Sequence, residues 1–394
     1  MKVNSIDIFC EIIDNFGDIG VVYRISKELK KIFQNVRIRV VLNRLDEFKA
    51  INKNVKDLNY QEIDGIFYLK ESYLKENIKT LGVADLFIEA FGCNVFDEYQ
   101  ELAKKESKLW INLEYLSGEK WVEDFHLCES LIDSKVLKKI FYMPGFSKKS
   151  GGVIIDSGFL ERKNYGINNR NEVLKKYFPE YDLKDKFIGT VFSYEKNFSN
   201  LLEILENQDK ETTLILMGEK TKSSFEKLFL KKQDKIFKNF GKFIKYGKIN
   251  IICADFLSQE GYEEVISAVD FNLTRGEDSF VRGILLGKPF MWHIYLQEDR
   301  AHMDKINAFV DRFKESIFEE VTVSTEEKII LEKYFKLLID YNDRTENSLK
   351  EGKEDFQIFF DEFDVVKQFC EIYSKFLLEN CNLVKKLYNY IQEY

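Results

Sequence analysis

Two carboxylates four residues apart, Asp14 and Asp18, lie in the stretch IIDNFGDIGVVYR (12–24). An apolar run ends here, a glycine-containing turn follows, and a helical pattern begins, which is where α/β proteins place ligands. Phosphate is a poor fit for such a turn, because a phosphate cradle offers glycines and backbone N–H groups without a competing negative charge. A second chemically loaded stretch runs from Asp270 to His302. There FNLTR reads as a strand, Gly276 permits a tight turn, and Glu277, Asp278 and Ser279 open a helix. Ser279 or Asp278 suits an N-cap. A helix N-terminus with a hydroxyl and the neighbouring cation Arg275 would hold a diphosphate, leaving Glu277 to bind sugar hydroxyls or orient another group. The same residues also read as an ordinary capping sequence. Just upstream, ADFLSQEGY (254–262) flanks Gln259 with Phe256 and Tyr262, so that two rings could sandwich a planar base while the amide reads its edge. With 35 phenylalanines in the chain, most of them core, that ring pair alone identifies no ligand.

The elements that must position these residues alternate. SIDIFCEII (5–13) has the alternation of a strand, and Val22, Ile25, Leu29 and Phe33 then recur at spacings of 3, 4 and 4, one face of a helix. VRIRVVL (36–42) returns as a strand, completing a βαβ unit with parallel pairing. ADLFIEAF (84–91) and KLWINLEYL (108–116) are further strands, and an open Rossmann-like sheet follows. After the glycine pair of SKKSGGVII (147–155) and the polar stretch ERKNYGINNRNE (161–172), the pattern restarts with KFIGTVFSY (186–194), TTLILMG (212–218), INIICADF (249–256) and FNLTR (271–275). We therefore expect an N-terminal Rossmann-like domain over 1–175 and a second over 176–363. The helical segment 364–394 is free to pack back on either, the first being our choice. Two such domains facing each other across a cleft form the GT-B glycosyltransferase architecture, an outline that some epimerases and binding proteins share.

Composition narrows the classes. At 394 residues the chain suits two domains of about 200 residues each. The 45% hydrophobic and 32% charged residues exclude disorder. No apolar run approaches the ~20 residues that span a bilayer, and acids interrupt the start of the chain, so we expect a cytoplasmic protein without a membrane partner. A net charge of −8 argues against direct nucleic-acid binding and suits a basic partner. Six cysteines without CxxC spacing read as buried thiols, and three scattered histidines give no metal-ligand cluster, so no metal and no cofactor is expected.

The sequence resembles the EarP family, bacterial protein-arginine rhamnosyltransferases that modify translation elongation factor P. The matching stretches are DIFCEIIDNFGDIGVVYR (7–24), WINLEYLSGEKWVEDFH (110–126), MPGFSKKSGG (143–152), FSYE (192–195), DFLSQEGY (255–262) and RGEDSFVRGILLGKPFMWHIYLQEDRAH (275–302). Where the family often carries phenylalanine and proline, this chain has Tyr262 and Leu296.

The resemblance implies a GT-B fold and transfer of L-rhamnose from TDP-β-L-rhamnose to one arginine of elongation factor P, inverting and metal-independent. It implies that the C-terminal domain binds the donor and the N-terminal domain meets the acceptor. Carried over by position, Asp14 and Asp18 form the acidic turn with Asn15 and Gly17 lining it. Phe256, Gln259 and Tyr262 take the nucleotide, and Tyr194, Arg275, Glu277, Asp278 and Ser279 the diphosphate region. On this reading the acidic turn receives a guanidinium, whose planar fork matches carboxylates. Asp18 is then the expected base, Asp14 shapes the turn or steadies the guanidinium, and Glu277 is the third catalytic acid. Asp18 as a plain helix cap and Asp14 as an Asx-turn residue remain the alternatives. At the level of function, the alternatives are a non-catalytic nucleotide-sugar or elongation-factor binder and a nucleotide-sugar epimerase.

Overall fold

The computed structural model describes residues 3–13, 17–231, 241–343 and 356–394. The chain divides into two compact units, one made of residues 1–157 and 377–394 and the other of residues 158–376.

The first unit is built on strands β1 (Ser5–Cys10), β2 (Arg37–Leu42), β3 (Tyr60–Ile63), β4 (Ile66–Lys70), β5 (Leu86–Ala90), β6 (Leu109–Leu113), β7 (Glu129–Ser130) and β8 (Lys138–Tyr142). Their order in the sheet is β3-β4-β2-β1-β5-β6-β8-β7, parallel except for the outermost pair at each edge. The strand after β1 lies on one side of it and β5 on the other, which makes the β1/β5 boundary the point where the winding reverses.

Both faces of the sheet are covered, and β1 shows how. Ile6, Ile8 and Cys10 point to one core, where they meet Val22, Ile25 and Leu29 of helix α1 (Gly17–Ile32) and Phe33 just past its end, the stripe expected from the sequence. Phe9 joins Phe87, Phe96 and Tyr99 in the other core. Asp7 also faces that side and is fully buried. Arg39 answers it with a two-pronged pair, Nε to Oδ1 at 2.7 Å and Nη2 to Oδ2 at 2.5 Å, and Tyr99 Oη donates to Oδ2 at 2.6 Å. The guanidinium also donates to the carbonyls of Leu81 and Gly82, and its hydrogen bonds to Asp7 hold its proton more tightly against the opposing cost of burial.

The second unit carries β9 (Phe187–Phe192), β10 (Thr212–Met217), β11 (Phe243–Tyr246), β12 (Ile249–Cys253), β13 (Phe271–Arg275) and β14 (Phe290–His293). Their order is β11-β12-β10-β9-β13-β14, parallel except for the β11/β12 pair. Here the winding reverses between β9 and β13.

Two boundaries differ from expectation. The helices Phe159–Asn168 and Arg170–Tyr177, assigned by sequence mostly to the first domain, belong to the second unit. The reason is their packing on the helix Gln259–Ala268. Gly166 lies so close to it that a Cβ would come within 2.8 Å of Ser267 Cβ, and Arg162 donates to Glu263 at 2.6 Å. Arg170 pairs with Asp270 at 2.8 Å. The helix Phe363–Asn380 lies mostly in the second unit, whereas residues 377–394 join the first. Val153 and Asn382 form a parallel bridge, Lys386 Nζ donates to the carbonyls of Lys148 and Ser150, and Leu383, Val384, Leu387 and Ile391 enter the β1 core. Among the described residues no helix is long and apolar enough to cross a membrane.

Candidate functional site

Asp18 stands in the first turn of α1, beyond the C-terminal end of β1, at the winding reversal of the first sheet. Its residue exposure is 3%, and the carboxylate is held at both oxygens: Ile13 N–H donates to Oδ2 at 2.9 Å and Tyr115 Oη donates to Oδ1 at 3.2 Å. The helix dipole adds a favourable field for a negative charge at this position. Tyr115 is itself fixed by stacking on Phe91, with ring centroids 4.6 Å apart and planes 18° from parallel. Phe91 follows β5 with a left-handed φ of +61°, and its N–H donates to Leu113 O at 2.7 Å, tying the β5 and β6 ends together. Such a backbone is strained for a phenylalanine and persists only where its surroundings enforce it. Gly17, the first helical residue, is half-buried beside Asp18. Asp14 and Asn15 lie outside the described residues.

Two groups here were not assigned from sequence. One is Tyr115. The other is its neighbour Glu114, half-buried, whose carboxyl is pushed above the usual range by burial and then by the charge of Glu89. Burial, and then the Asp18 charge, likewise raises the Cys10 thiol, which stays neutral.

The second unit gathers its candidate residues at the β9/β13 reversal. Arg275 ends β13, and its guanidinium lies 4.2 Å from the centre of the Phe192 ring and 5.1 Å from that of Tyr194, donating to Ser193 O at 3.2 Å. Gly276 adopts φ +62°, and a Cβ there would come within 3.3 Å of Tyr194 Oη, so the turn passes close under that phenol. Tyr194 packs edge-on against His293 and Tyr295, at 5.3 and 5.7 Å. Its N–H donates to His293 Nδ1 at 3.2 Å, and Ser193 Oγ lies 2.5 Å from the same nitrogen. A backbone N–H can only donate, so Nδ1 carries the lone pair and the neutral ring holds its proton on Nε2.

The helix Asp278–Leu285 opens as expected, but its cap differs. Glu277 occupies the N-cap without a side-chain capping bond, and its carbonyl accepts from Val281 N–H at 2.9 Å. Ser279 Oγ donates back to the Arg275 carbonyl four residues earlier, the alternative that serine hydroxyls have inside helices. Neither Ser279 nor Asp278 is therefore the N-cap. The expected base-binding residues share one segment after β12. Phe256 is 69% exposed, Gln259 is half-buried at the start of its helix, and Ser258 caps that helix by accepting from Gly261 N–H at 3.0 Å. Tyr262 meets the ring of Phe192 at 5.8 Å, and burial pushes its hydroxyl well above the ordinary tyrosine range. Phe192, unassigned from sequence, thus links the base-side ring Tyr262 to the cation Arg275.

Two Rossmann-like units, each with its candidate groups beyond the carboxyl ends of its strands at the reversal point, give the chain the GT-B architecture. A solved structure described as the structural basis for EarP-mediated arginine glycosylation of translation elongation factor EF-P shares the fold, with a TM-score of 0.63 at 18% identity, covering 100% of this chain and 99% of that one. The sequence model of the elongation factor P (EF-P) rhamnosyltransferase EarP matches residues 6–392, and the chain belongs to that family. Relatives named protein-arginine rhamnosyltransferase include those of Shewanella oneidensis MR-1, 31% identical over 80% of this chain and 82% of the relative, and of Neisseria meningitidis H44/76, 30% identical over 77% and 78%.

Proposed function

We propose that the protein transfers L-rhamnose from TDP-β-L-rhamnose to an arginine side chain of translation elongation factor P, with inversion at the anomeric carbon and without a metal ion. Membership of the EarP family supports the reaction class. The observation that carries the chemistry is the Asp18 carboxylate, held by Ile13 N–H and Tyr115 Oη at a helix start. An arginine guanidinium has a pKa above ~12, so its nitrogen is a poor nucleophile until a proton leaves and the delocalisation is disturbed. Asp18 takes that proton as the nitrogen attacks the anomeric carbon. The new N–C bond forms as the C–O bond to the β-phosphate breaks, and the electron pair departs with TDP. Asp14, Asn15 and Gly17 help to receive the guanidinium.

On the donor side, Phe256, Gln259 and Tyr262 hold the thymine. Tyr194, Arg275 and the helix opening at Asp278 and Ser279 face the diphosphate, where Arg275 gains strength as an electrostatic partner while charge grows on the leaving group. Glu277 engages the sugar or orients a neighbour. The acceptor, a translation factor, sets the location as cytoplasmic.

Incubating the protein with TDP-rhamnose and the factor, then weighing the factor, tests this reading. The expected result is a mass gain of one deoxyhexose residue on an arginine-containing peptide, in the presence or absence of EDTA. An unchanged factor with bound donor points to a binder, and donor turned over without acceptor points to an epimerase. Either result overturns the proposal.

A further inference from the structure

The helix Glu219–Lys231 follows Gly218, the residue after β10. Gly218 has φ +76°, and a Cβ there would stand 2.8 Å from the Phe192 ring and 3.8 Å from Arg275 Nη2, so this turn abuts the donor-side residues. The lysines of the helix behave differently from one another. Lys222 pairs with Glu219 at 3.1 Å and Lys227 with Glu195 at 3.5 Å. Lys220 has no carboxylate partner among the described residues; its Nζ instead lies 5.5 Å from the centre of the Tyr194 ring. Arg275 lies 5.1 Å from the centre of the same ring. Two like charges thus converge on one phenol beyond the ends of β10 and β13, the strands that flank β9, an arrangement that repels itself until an anion arrives.

We propose that Lys220 is a second cation for the diphosphate of the nucleotide sugar, acting with Arg275 across Tyr194. The inference rests on the donor reading above. A nucleoside diphosphate sugar carries two negative charges and its departing nucleoside diphosphate carries more, so one guanidinium leaves an excess. An exposed lysine is a point charge on a flexible stem, able to follow a group whose charge rises during the reaction, whereas Arg275 is held by Phe192, Tyr194 and the Ser193 carbonyl. A cation–π contact on its own would also put a lysine over a ring, but it gives no dependence on the number of phosphates.

Calorimetric binding of thymidine, TMP and TDP to the wild type, Lys220→Ala and Lys220→Arg separates these cases, with thermal midpoints to confirm folding. Lys220→Ala should bind TDP about tenfold more weakly, the loss of one charge-assisted contact, and thymidine equally well. TMP should fall between, Lys220→Arg should retain most of the TDP affinity, and the wild-type salt dependence should exceed that of the alanine variant. Unchanged TDP affinity in Lys220→Ala, or an equal loss for thymidine, overturns the assignment while leaving the donor reading standing. A wild type with no affinity for TDP overturns the donor reading and the role of Lys220 with it.

Discussion

The phenol of Tyr115, two residues past β6, donates a 3.2 Å hydrogen bond to Oδ1 of Asp18, in the first turn of α1. Nearly a hundred residues separate the two in sequence, and the sheet order brings them together. If Asp18 is the base, Tyr115 orients it. Tyr115→Phe keeps the stacking on Phe91 and removes only the hydroxyl, so turnover should fall about tenfold with the donor dissociation constant unchanged. Initial rates alongside TDP titration check this, and a wild-type turnover number would remove Tyr115 from the reaction.

Asp18→Asn keeps the size of the side chain and most of its hydrogen bonding while removing its basicity. Turnover should drop ~10²-fold or more, the usual share of general-base catalysis, while TDP-rhamnose still binds. Should Asp18→Asn work near the wild-type rate while Asp14→Asn does not, the two acids exchange roles.

If Arg275 holds the diphosphate as proposed, Arg275→Gln should lower the turnover number even at saturating donor, because such a contact tightens as charge develops on the leaving TDP. The ring neighbours Phe192 and Tyr194 should be little disturbed. Full activity at saturating donor would reduce Arg275 to a ground-state contact.

The Asp7–Arg39 pair makes a separate prediction about stability. Arg39→Met leaves a buried carboxylate with Tyr99 as its remaining side-chain partner among the described residues and should cost about 3–5 kcal/mol in urea unfolding. The double variant Asp7→Leu/Arg39→Met should recover much of that loss, since both charges are then gone. A single variant as stable as the wild type would show the pair to be dispensable.

His126 links stability to pH. Its Nδ1 accepts from Met143 N–H at 3.2 Å, and burial, then the Lys386 charge, lowers its pKa to about 4 from 6.5. The unfolded chain therefore binds this proton first as pH falls, and the stability it contributes, present above 6.5, is lost between about 6.5 and 4. Allowing for partial exposure, the loss is about 2 kcal/mol. In His126→Asn, whose amide oxygen can accept the same bond, the wild-type-minus-variant stability difference should shrink across that window. A constant difference would reject the linkage.

Local periodicity made much of the fold legible. The Val22, Ile25, Leu29, Phe33 stripe enters the β1 core as read, and the strands around Ile8, Val40, Ile88 and Ile111 lie where their apolar runs stand. The β3/β4 hairpin was not read, although Asp64 and Gly65, both with φ > 0, carry the Asp-Gly signal between alternating apolar residues. At the candidate site, what the sequence omitted came from neighbouring strands. Tyr115 reaches Asp18 because β5 and β6 follow β1 in the sheet, and Phe192 reaches Arg275 because β9 lies beside β13. Sheet order is a property of long-range pairing and leaves no mark in any single segment. The Ser279 cap failed for a local reason: a serine one turn beyond a carbonyl can satisfy that carbonyl rather than an N–H.

The return of residues 377–394 to the first unit has a consequence for biosynthesis. Leu383, Val384, Leu387 and Ile391 complete the core that contains Ile8 and Val22, and Tyr388 packs on Phe33 at 5.3 Å. A nascent chain makes the rest of that core first and its closing helix last, after the whole second unit has emerged. At ~5–20 residues per second, the intervening stretch of roughly 220 residues leaves the part of that core covered by the C-terminal helix, including the Phe33 ring, waiting for about 10–40 s. The unit begun second is contiguous and can finish first, so the earlier-made half keeps apolar surface uncovered for longer during synthesis.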